Sequence, residues 1–290
     1  MIQLAVSTYS LARWRKERNK NLVQSLRWLA DNDVKGVEFV GVDEADPAKV
    51  VRKARSLRRE CDKLGLHICG YCTPGELLRD PGEQQQMVEQ LKRQVDVAAM
   101  LGVKSMRHDV TGGDFTKVKG YKGPTTFAAA LKILVPAIRE VADYAATQGL
   151  KTSLENHGFY MQAPDRVEKL LQTVDHPAFG LTIDMGNFMC VNADPVAAVR
   201  QLLPYAIHAH VKDFHIRPKK TMPPSGWFAT PTPIALRGAI VGHGAIDIPA
   251  QLKLLKRAKY AGWLSLEFEG MEDPELGVRE GLKFLRRELA

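Results

Sequence analysis

From residue 147 to residue 155 the chain reads Thr-Gln-Gly-Leu-Lys-Thr-Ser-Leu-Glu. A helical pattern runs into this stretch, Gly149 is typical of a helix end with a positive φ angle, and a strand-like run then ends on Glu155. Gly262 also precedes a strand-like run and is predicted to end a helix. The same order of helix, glycine and strand recurs at Lys63-Leu64-Gly65 and Met100-Leu101-Gly102. This repetition predicts alternating helices and strands.

Eight short apolar runs are spaced along the chain, with longer amphipathic stretches between them. The runs are Ile2–Val6, Gly36–Val40, Leu66–Cys72, Val103–Arg107, Lys151–Glu155, Phe179–Asp184, Ile207–Val211 and Trp263–Phe268. Several of the amphipathic stretches carry proline near their start, where a helix tolerates the missing N–H. Strict alternation of eight such units predicts an α/β fold, a (β/α)8 TIM barrel that forms a single domain over residues 1–290.

Composition limits the partners of the chain. The net charge is +8 over 290 residues, but the basic residues are spread over several helices and no aromatic stripe of the kind that stacks bases accompanies them. A solubilising basic surface is predicted, and nucleic acid is not expected as a partner. No apolar run approaches the ~18 residues that span a bilayer, so no membrane contact is expected. The N-terminus lacks the basic segment of a signal peptide, which favours a cytoplasmic location.

Two of the four cysteines, Cys69 and Cys72, have the spacing of a metal or redox pair. No second pair exists to complete a structural zinc site, and no helix begins where a redox pair needs one. We therefore predict buried or loop thiols.

Four residues with metal-ligating side chains end four successive strand-like runs in the second half of the chain. They are Glu155, Asp184, His210 and Glu267. Because the carboxyl ends of barrel strands converge on one face, these side chains are expected to meet. Three carboxylates and one imidazole predict a site for one divalent ion, with Mn²⁺ favoured and Mg²⁺, Co²⁺ or Zn²⁺ as alternatives.

These strand ends resemble those of the xylose isomerase-like TIM barrel superfamily, which contains sugar phosphate isomerases and epimerases and the endonuclease IV group (AP endonuclease family 2). The resemblance covers nearly the whole chain. It rests on the motifs Leu154-Glu155-Asn156-His157, Ile183-Asp184-Met185-Gly186-Asn187, His210-Val211-Lys212-Asp213, Gly242-His243-Gly244-Ala245-Ile246-Asp247 and Ser265-Leu266-Glu267-Phe268-Glu269. In that family the matching Glu, Asp, His and Glu bind one metal, which implies that Glu155 and Glu267 are also the catalytic, proton-moving residues.

The first hypothesis is a metal-dependent isomerase or epimerase of a sugar or sugar phosphate. Removing a proton beside a carbonyl produces an enediolate, which needs a Lewis acid on its oxygens and an acid and a base nearby. The alternative is a lyase or dehydratase that uses the same site on a keto-sugar, keto-inositol or keto-glycoside, because β-elimination can follow the same proton removal. A metal-binding or sugar-binding barrel without catalysis is a further hypothesis.

The chain departs from two groups of relatives at Asn187, where tagatose-type ketose 3-epimerases and endonuclease IV enzymes both carry a histidine. Val241-Gly242-His243 also replaces the Asp-Arg-His type of pair that helps to build the three-zinc cluster of endonuclease IV. A DNA-repair phosphodiesterase is therefore the least favoured reading. The ketose 3-epimerase assignment is also in doubt.

Several further residues are candidates for substrate binding because they stand at or near strand ends. They are His157, Asn187, Lys212, Arg107, His108, Glu38 and Arg217. His208 shares a face with His210 and is predicted to lie behind the metal ligands. Two long connections follow strands, at about residues 108–126 and 213–247, and the second is predicted to be a proline-rich substrate lid that carries Arg217. Barrels of this family often associate, so a homo-oligomer is left open.

Overall fold

Eight parallel strands form a closed barrel in the computed structural model, which describes residues 1–42, 47–113 and 123–290. The barrel strands are β1 (Gln3–Ser7), β2 (Gly36–Val40), β3 (His67–Thr73), β4 (Ser105–His108), β5 (Lys151–Glu155), β6 (Phe179–Asp184), β7 (Ala206–Val211) and β11 (Trp263–Leu266). Their order around the barrel follows the chain, and β11 pairs with β1 from Gln3–Trp263 to Val6–Leu266. The predicted (β/α)8 barrel is confirmed.

Nine α-helices lie in the described part of the chain. They are α1 (Ala12–Glu17), α2 (Leu22–Asp31), α3 (Pro47–Leu64), α4 (Pro81–Leu101), α5 (Phe127–Thr147), α6 (Pro164–Val174), α7 (Pro195–Leu202), α8 (Ile248–Arg257) and α9 (Pro274–Leu289). The short α1 is not part of the sequence prediction, and residues 43–46, directly before α3, lie outside the described residues. None of the described helices combines the length and apolar character that a membrane span requires.

Glycine ends three of the helical units as predicted. Gly65, Gly102 and Gly149 adopt φ angles of 65°, 80° and 68°, in the left-handed region where a side chain is disfavoured. The prediction for Gly262 is wrong, because the positive φ after α8 belongs to Lys259, at 55°. Gly262 instead lies against the ring of Tyr260, where a Cβ atom would come within 2.4 Å of the phenol oxygen.

The predicted long loop at 213–247 contains regular structure, which corrects the sequence interpretation. Three strands, β8 (Asp213–Pro218), β9 (Phe228–Ala229) and β10 (Ile234–Ala239), form an antiparallel sheet in the order β8-β10-β9. We call it the accessory sheet. Its prolines stand at the end of β8 or outside the strands, where no ladder hydrogen bond is lost.

Asp213 fixes the accessory sheet to the barrel. Its Oδ1 accepts hydrogen bonds from the backbone N–H of Phe214 and Ile246, at 2.8 and 3.2 Å, and its Oδ2 accepts from Gly242 and Gly244, at 3.0 and 2.9 Å. One carboxylate thus holds both the start of the segment and its return to α8. Because β8 begins directly after Lys212, the sheet emerges beside the metal-ligand strand β7.

The other predicted connection, residues 108–126, is only partly described, since residues 114–122 lie outside the described ranges. Glu76 holds its first part: the Oε2 atom accepts a hydrogen bond from the backbone N–H of Gly112 at 2.6 Å.

Candidate metal centre and active site

The four predicted metal ligands converge at the carboxyl end of the barrel. Glu155 and Asp184 are the last residues of β5 and β6, His210 is on β7, and Glu267 directly follows β11. Strand register brings them level, because Asp184 and Ser265 both pair with His210. One potential ligand atom from each of the four residues lies within 4.8 Å of the others, and all four residues are buried.

The donor atoms face one another around a common centre. His210 Nδ1 lies 3.6 Å from Glu155 Oε1, 3.6 Å from Glu267 Oε1 and 4.0 Å from Asp184 Oδ2. His210 Nδ1 is buried and has no hydrogen-bond partner among the described residues, and the buried Asp184 Oδ2 has only the Lys212 ammonium nearby, at 3.3 Å. Leaving such atoms unsatisfied is costly. Three carboxylate oxygens and one imidazole nitrogen in this arrangement suit a divalent cation.

Glu38 supports the ligand His210 from the opposite side of the ring. Its Oε2 lies 2.8 Å from His210 Nε2 and its Oε1 lies 3.1 Å from His208 Nε2. Burial alone would raise the pKa of Glu38, but the two imidazoles hold it well below its ordinary value. A carboxylate that accepts the Nε2 proton leaves Nδ1 of His210 as the metal-binding atom. Glu38 therefore lies behind a ligand, and it does not line the cavity described below.

His208 and Ser265 form a polar layer beneath the ligands. His208 Nε2 lies 2.9 Å from Ser265 Oγ, and Cys69 Sγ lies 3.9 Å from the same hydroxyl. His208 thus occupies the supporting position that the sequence predicts. The prediction that Cys69 and Cys72 are buried or loop thiols is confirmed, since both are buried.

Asp184 is oriented by the turn that follows it. Its Oδ1 accepts hydrogen bonds from the backbone N–H groups of Gly186 and Asn187, at 2.8 and 2.7 Å. The amide of Asn156 pairs with the Asp184 backbone in both directions, at 2.7 and 2.9 Å. Only Oδ2 then faces the cluster. Burial, opposed by Lys212 and reinforced by Glu155, raises the pKa of Asp184 to about 6.

Glu155 is held by a donor at each oxygen. Asn187 Nδ2 donates to Oε1 at 2.9 Å, and Arg107 Nη2 lies 2.8 Å from Oε2. Burial would raise the pKa of Glu155, but Arg107 and His210 hold it well below its ordinary value. Arg107 also contacts Asp109 at 3.1 Å, and Asp109 contacts the half-exposed His157 at 3.2 Å. A chain of charged groups therefore leads from the buried carboxylate to the rim.

Lys212 balances the other side of the cluster. Its ammonium lies 2.8 Å from Glu267 Oε2, 3.1 Å from Glu269 Oε1 and 3.3 Å from Asp184 Oδ2. Burial would lower the pKa of Lys212, but these carboxylates raise it well above its ordinary value. The side chain is thus a buried cation that holds two of the candidate ligands.

A cavity of about 230 Å³ opens above the cluster. Its lining residues are Tyr9, Val40, Thr73, Pro74, Arg107, Asp109, Glu155, His157, Lys212, Glu267 and Glu269. A neighbouring cavity of about 290 Å³ shares His157, Lys212 and Glu269 and adds Phe214 and Phe228 from the accessory sheet. We call these the metal cavity and the side cavity.

Tyr9 and Asp109 line the metal cavity but are not among the candidates from the sequence. Both stand just after barrel strands, two residues beyond β1 and one beyond β4, so their position was the available signal. Glu269 raises the pKa of Tyr9. The carboxylate of Asp109 raises the pKa of His157.

Besides Glu38, two predicted substrate-binding residues lie away from the metal cavity and the side cavity. His108 is buried and its ring lies 6.3 Å from that of Phe179, because neighbours in a strand point to opposite faces and Arg107 takes the inward position. Arg217 is on the accessory sheet and lines a third cleft that shares no residue with the metal cavity. Of the predicted set, Arg107, His157, Asn187 and Lys212 surround the metal cluster or its cavities.

Comparison with known proteins places the chain in a family. The family model described as xylose isomerase-like TIM barrel matches residues 26–288. The protein therefore belongs to the xylose isomerase-like TIM barrel family, as the sequence motifs predict.

Three similar proteins extend this comparison. The uncharacterized protein YfiH of Bacillus subtilis is 26% identical over 263 residues, covering 82% of this chain and 83% of its own. The inosose dehydratase of Clostridium tetani is 24% identical over 144 residues, about half of each chain at 49% and 48%. The crystal structure of the 3-keto-D-glucoside 4-epimerase YcjR from E. coli superimposes with a TM-score of 0.75 at 16% identity, covering 99% of this chain and 100% of that one. The structural match shows a shared fold, and the similar proteins include an epimerase and a dehydratase.

Proposed function

We propose that this protein is a divalent-metal-dependent enzyme that isomerises or epimerises a sugar or sugar phosphate by moving the proton beside a carbonyl, through an enediolate. The observation that carries the proposal is the buried cluster of Glu155, Asp184, His210 and Glu267 at the floor of the metal cavity. Epimerisation of a keto-sugar by YcjR, which has the same fold, belongs to the same class of reaction.

The four clustered residues would hold the ion. Mn²⁺ is favoured because three of the four donors are carboxylates, and Mg²⁺, Co²⁺ and Zn²⁺ remain compatible with the set. When bound, a divalent ion supplies a Lewis acid that stabilises negative charge on the substrate oxygens. Among the described residues, the second metal-compatible group is Glu38, Cys72 and His210, which shares His210 with the first. One ion is therefore proposed.

Glu155 and Glu267 are proposed to move the proton. They stand on β5 and at the end of β11, with β6 and β7 between them in the barrel order, so they reach the metal cavity from different directions. Arg107 and Asn187 orient Glu155, while Lys212 contacts Glu267. A substrate seated between the two glutamates would present different faces to them, as acid–base exchange at one carbon requires.

Other residues of the two cavities are proposed to bind substrate hydroxyls. His157 and Lys212 line both cavities, and Asn187 lines the side cavity. Phe228 of β9 covers the side cavity, so the accessory sheet is proposed to act as the lid that excludes water from the reacting carbon.

A lyase is the second candidate, and the sequence relatives favour it. Inosose dehydratases match about half of this chain, and their named reaction removes water from a keto-inositol. Proton removal by the same glutamates followed by loss of a β-hydroxyl or β-alkoxy group would give that outcome on a keto-inositol, keto-sugar or keto-glycoside.

One experiment tests both candidates. The purified protein is analysed for bound metal and then incubated in deuterated water with ketohexoses, their phosphates, an inosose and a 3-keto-glucoside. If the product is an isomer of the substrate that has exchanged one hydrogen for deuterium, the protein is an isomerase or epimerase. If the product has lost water or alcohol, the protein is a lyase. Asp184→Asn, which alters one of the four candidate ligands, is the variant expected to lose metal binding and activity. Activity that persists in that variant and in metal-free protein contradicts the proposal.

A further inference from the structure

A large cleft among the described residues lies apart from the metal centre. It has a volume of about 630 Å³, and it lies between the accessory sheet and the turn that contains His243. Its lining includes His215, Arg217, Trp227 and Arg237. It shares no residue with either the metal cavity or the side cavity. A separate concave surface of this size is a candidate ligand site.

Strand pairing places the cationic side chains of this cleft on one face. His215 pairs with Arg237 across the β8–β10 ladder, and Arg217 lies two residues beyond His215 on β8. Residues two apart on a strand share a face, and so do directly opposed residues of an antiparallel pair. Phe214, by the same alternation, points to the other face and lines the side cavity. The cationic side chains and Phe214 therefore lie on opposite faces of the accessory sheet, while Ile216 of the Phe214 face also borders the cleft.

One indole lies beside both guanidinium groups. The Cζ atoms of Arg217 and Arg237 are 5.5 and 5.7 Å from the centre of the Trp227 ring. Contacts of this kind hold a guanidinium in place while leaving its N–H groups able to bind an acceptor. Trp227 thus fixes two forked cationic donors near each other at the wall of the cleft.

The positive charge of the cleft is only partly balanced. Arg237 contacts Glu272 at 3.5 Å, but its Nε is buried without a hydrogen-bond partner in the described ranges. Arg217 forms no ion pair with any carboxylate of those ranges. Two guanidiniums against one carboxylate leave a net positive charge before either imidazole is counted. Two neighbouring cations in one cleft are most stable when an anion lies between them.

We propose that this cleft binds a phosphate monoester of a small organic molecule. Two guanidiniums match the charge and the several acceptor oxygens of a phosphate dianion. The volume leaves room for an organic group against Trp227 and Met271. The site is independent of the proposed reaction, since it needs neither the metal nor the two catalytic glutamates. It also gives Arg217 a ligand-binding role away from the metal cavity.

The test is a calorimetric titration of the full-length protein with glucose 6-phosphate, AMP and inorganic phosphate, with glucose as the uncharged probe. Tryptophan fluorescence provides a second signal, to which Trp227 in the cleft contributes along with three other tryptophans. Binding of the phosphorylated probes without binding of glucose is expected. Tighter binding of an organic phosphate than of inorganic phosphate supports a contribution from the organic group. Equal binding of the two limits recognition to the phosphate and overturns the proposal that the cleft also binds an organic group.

Variants locate the binding. Arg217→Gln, at an exposed position, is expected to weaken binding of the phosphorylated probes about tenfold, the usual scale for a lost charge-assisted hydrogen bond. Lys220→Gln removes an equal charge from the same segment outside the cleft and should leave binding unchanged. Equal weakening in both variants would reveal diffuse surface charge and overturn the proposal, as would the absence of binding to every phosphorylated probe. The wild-type metal affinity should be retained by both variants.

Discussion

The contact between Glu38 and His210 leads us to predict that Glu38→Gln weakens metal binding. Glu38 lies against two imidazoles at once, with 2.8 Å between its Oε2 and His210 Nε2 and 3.1 Å between its Oε1 and His208 Nε2. Glu38→Gln keeps the shape of the side chain but offers one acceptor oxygen and one NH₂ donor. If the NH₂ faces His210, the imidazole proton must move to Nδ1, the atom that faces the other three ligands.

The expected magnitude follows from the position of Glu38 behind a ligand. Removing such a carboxylate typically weakens metal binding about 10–100-fold, or roughly 1.4–2.7 kcal/mol. Because Glu38 is buried and both of its oxygens are engaged, we expect the upper part of that range. Competition with a chelator, followed at fixed pH for Mn²⁺ and Zn²⁺, measures the change.

Glu76→Gln is the matched control for this prediction. Glu76 is also buried, but its oxygens accept from the backbone N–H groups of Leu78 and Gly112, and neither contact reaches the cluster. The control should retain wild-type metal affinity even if it unfolds at a lower temperature. A Glu38→Gln protein that is folded and binds metal within twofold of wild type would refute the assignment of Glu38 as the support of His210.

Three further predictions concern catalysis, stability and the lid. Glu155→Gln and Glu267→Gln should each lower turnover by at least ~10²-fold with metal present, and near-normal rates in both would remove them as the proton-moving pair. Asp213→Asn loses about two of four charge-assisted hydrogen bonds, which lowers the free energy of unfolding by roughly 3 kcal/mol. At this chain length we expect calorimetry to show Tm lower by about 5 °C. The control Asp194→Asn should shift Tm by less than about 1 °C, because asparagine caps a helix equally well. Phe228→Ala should raise KM several-fold for the identified substrate without changing metal affinity, and an unchanged KM would argue against the accessory sheet as a lid.

The barrel and the convergence of the four candidate ligands could be predicted because they depend on local pattern. Each strand ends where an apolar run ends, and a parallel barrel brings all such ends to one face. For this reason the convergence of four residues could be predicted without knowledge of loop conformation: Glu155, Asp184, His210 and Glu267. The neighbouring choice between Arg107 and His108 was harder, since a one-residue shift in strand phase exchanges the inward and outward side chains.

Contacts across the barrel could not be read from the sequence. That Glu38 of β2 lies against His210 of β7 depends on strand tilt and side-chain length, which pattern alone does not specify. The accessory sheet escaped prediction because its prolines suggested a loop, although they lie outside its hydrogen-bonded ladder. Arg217 was assigned to the substrate for the same reason: the path of the segment that carries it was unknown.

The closure of the barrel by β11 has a consequence for the order in which the centre is assembled during synthesis. Glu155, Asp184 and His210 are translated before the strand that supplies Glu267, and β11 is also the strand that completes the ring against β1. Until β11 pairs with β1, the ring cannot close and the fourth candidate ligand is missing from the cluster. The complete set of four candidate ligands therefore exists only once the last strand has joined the first.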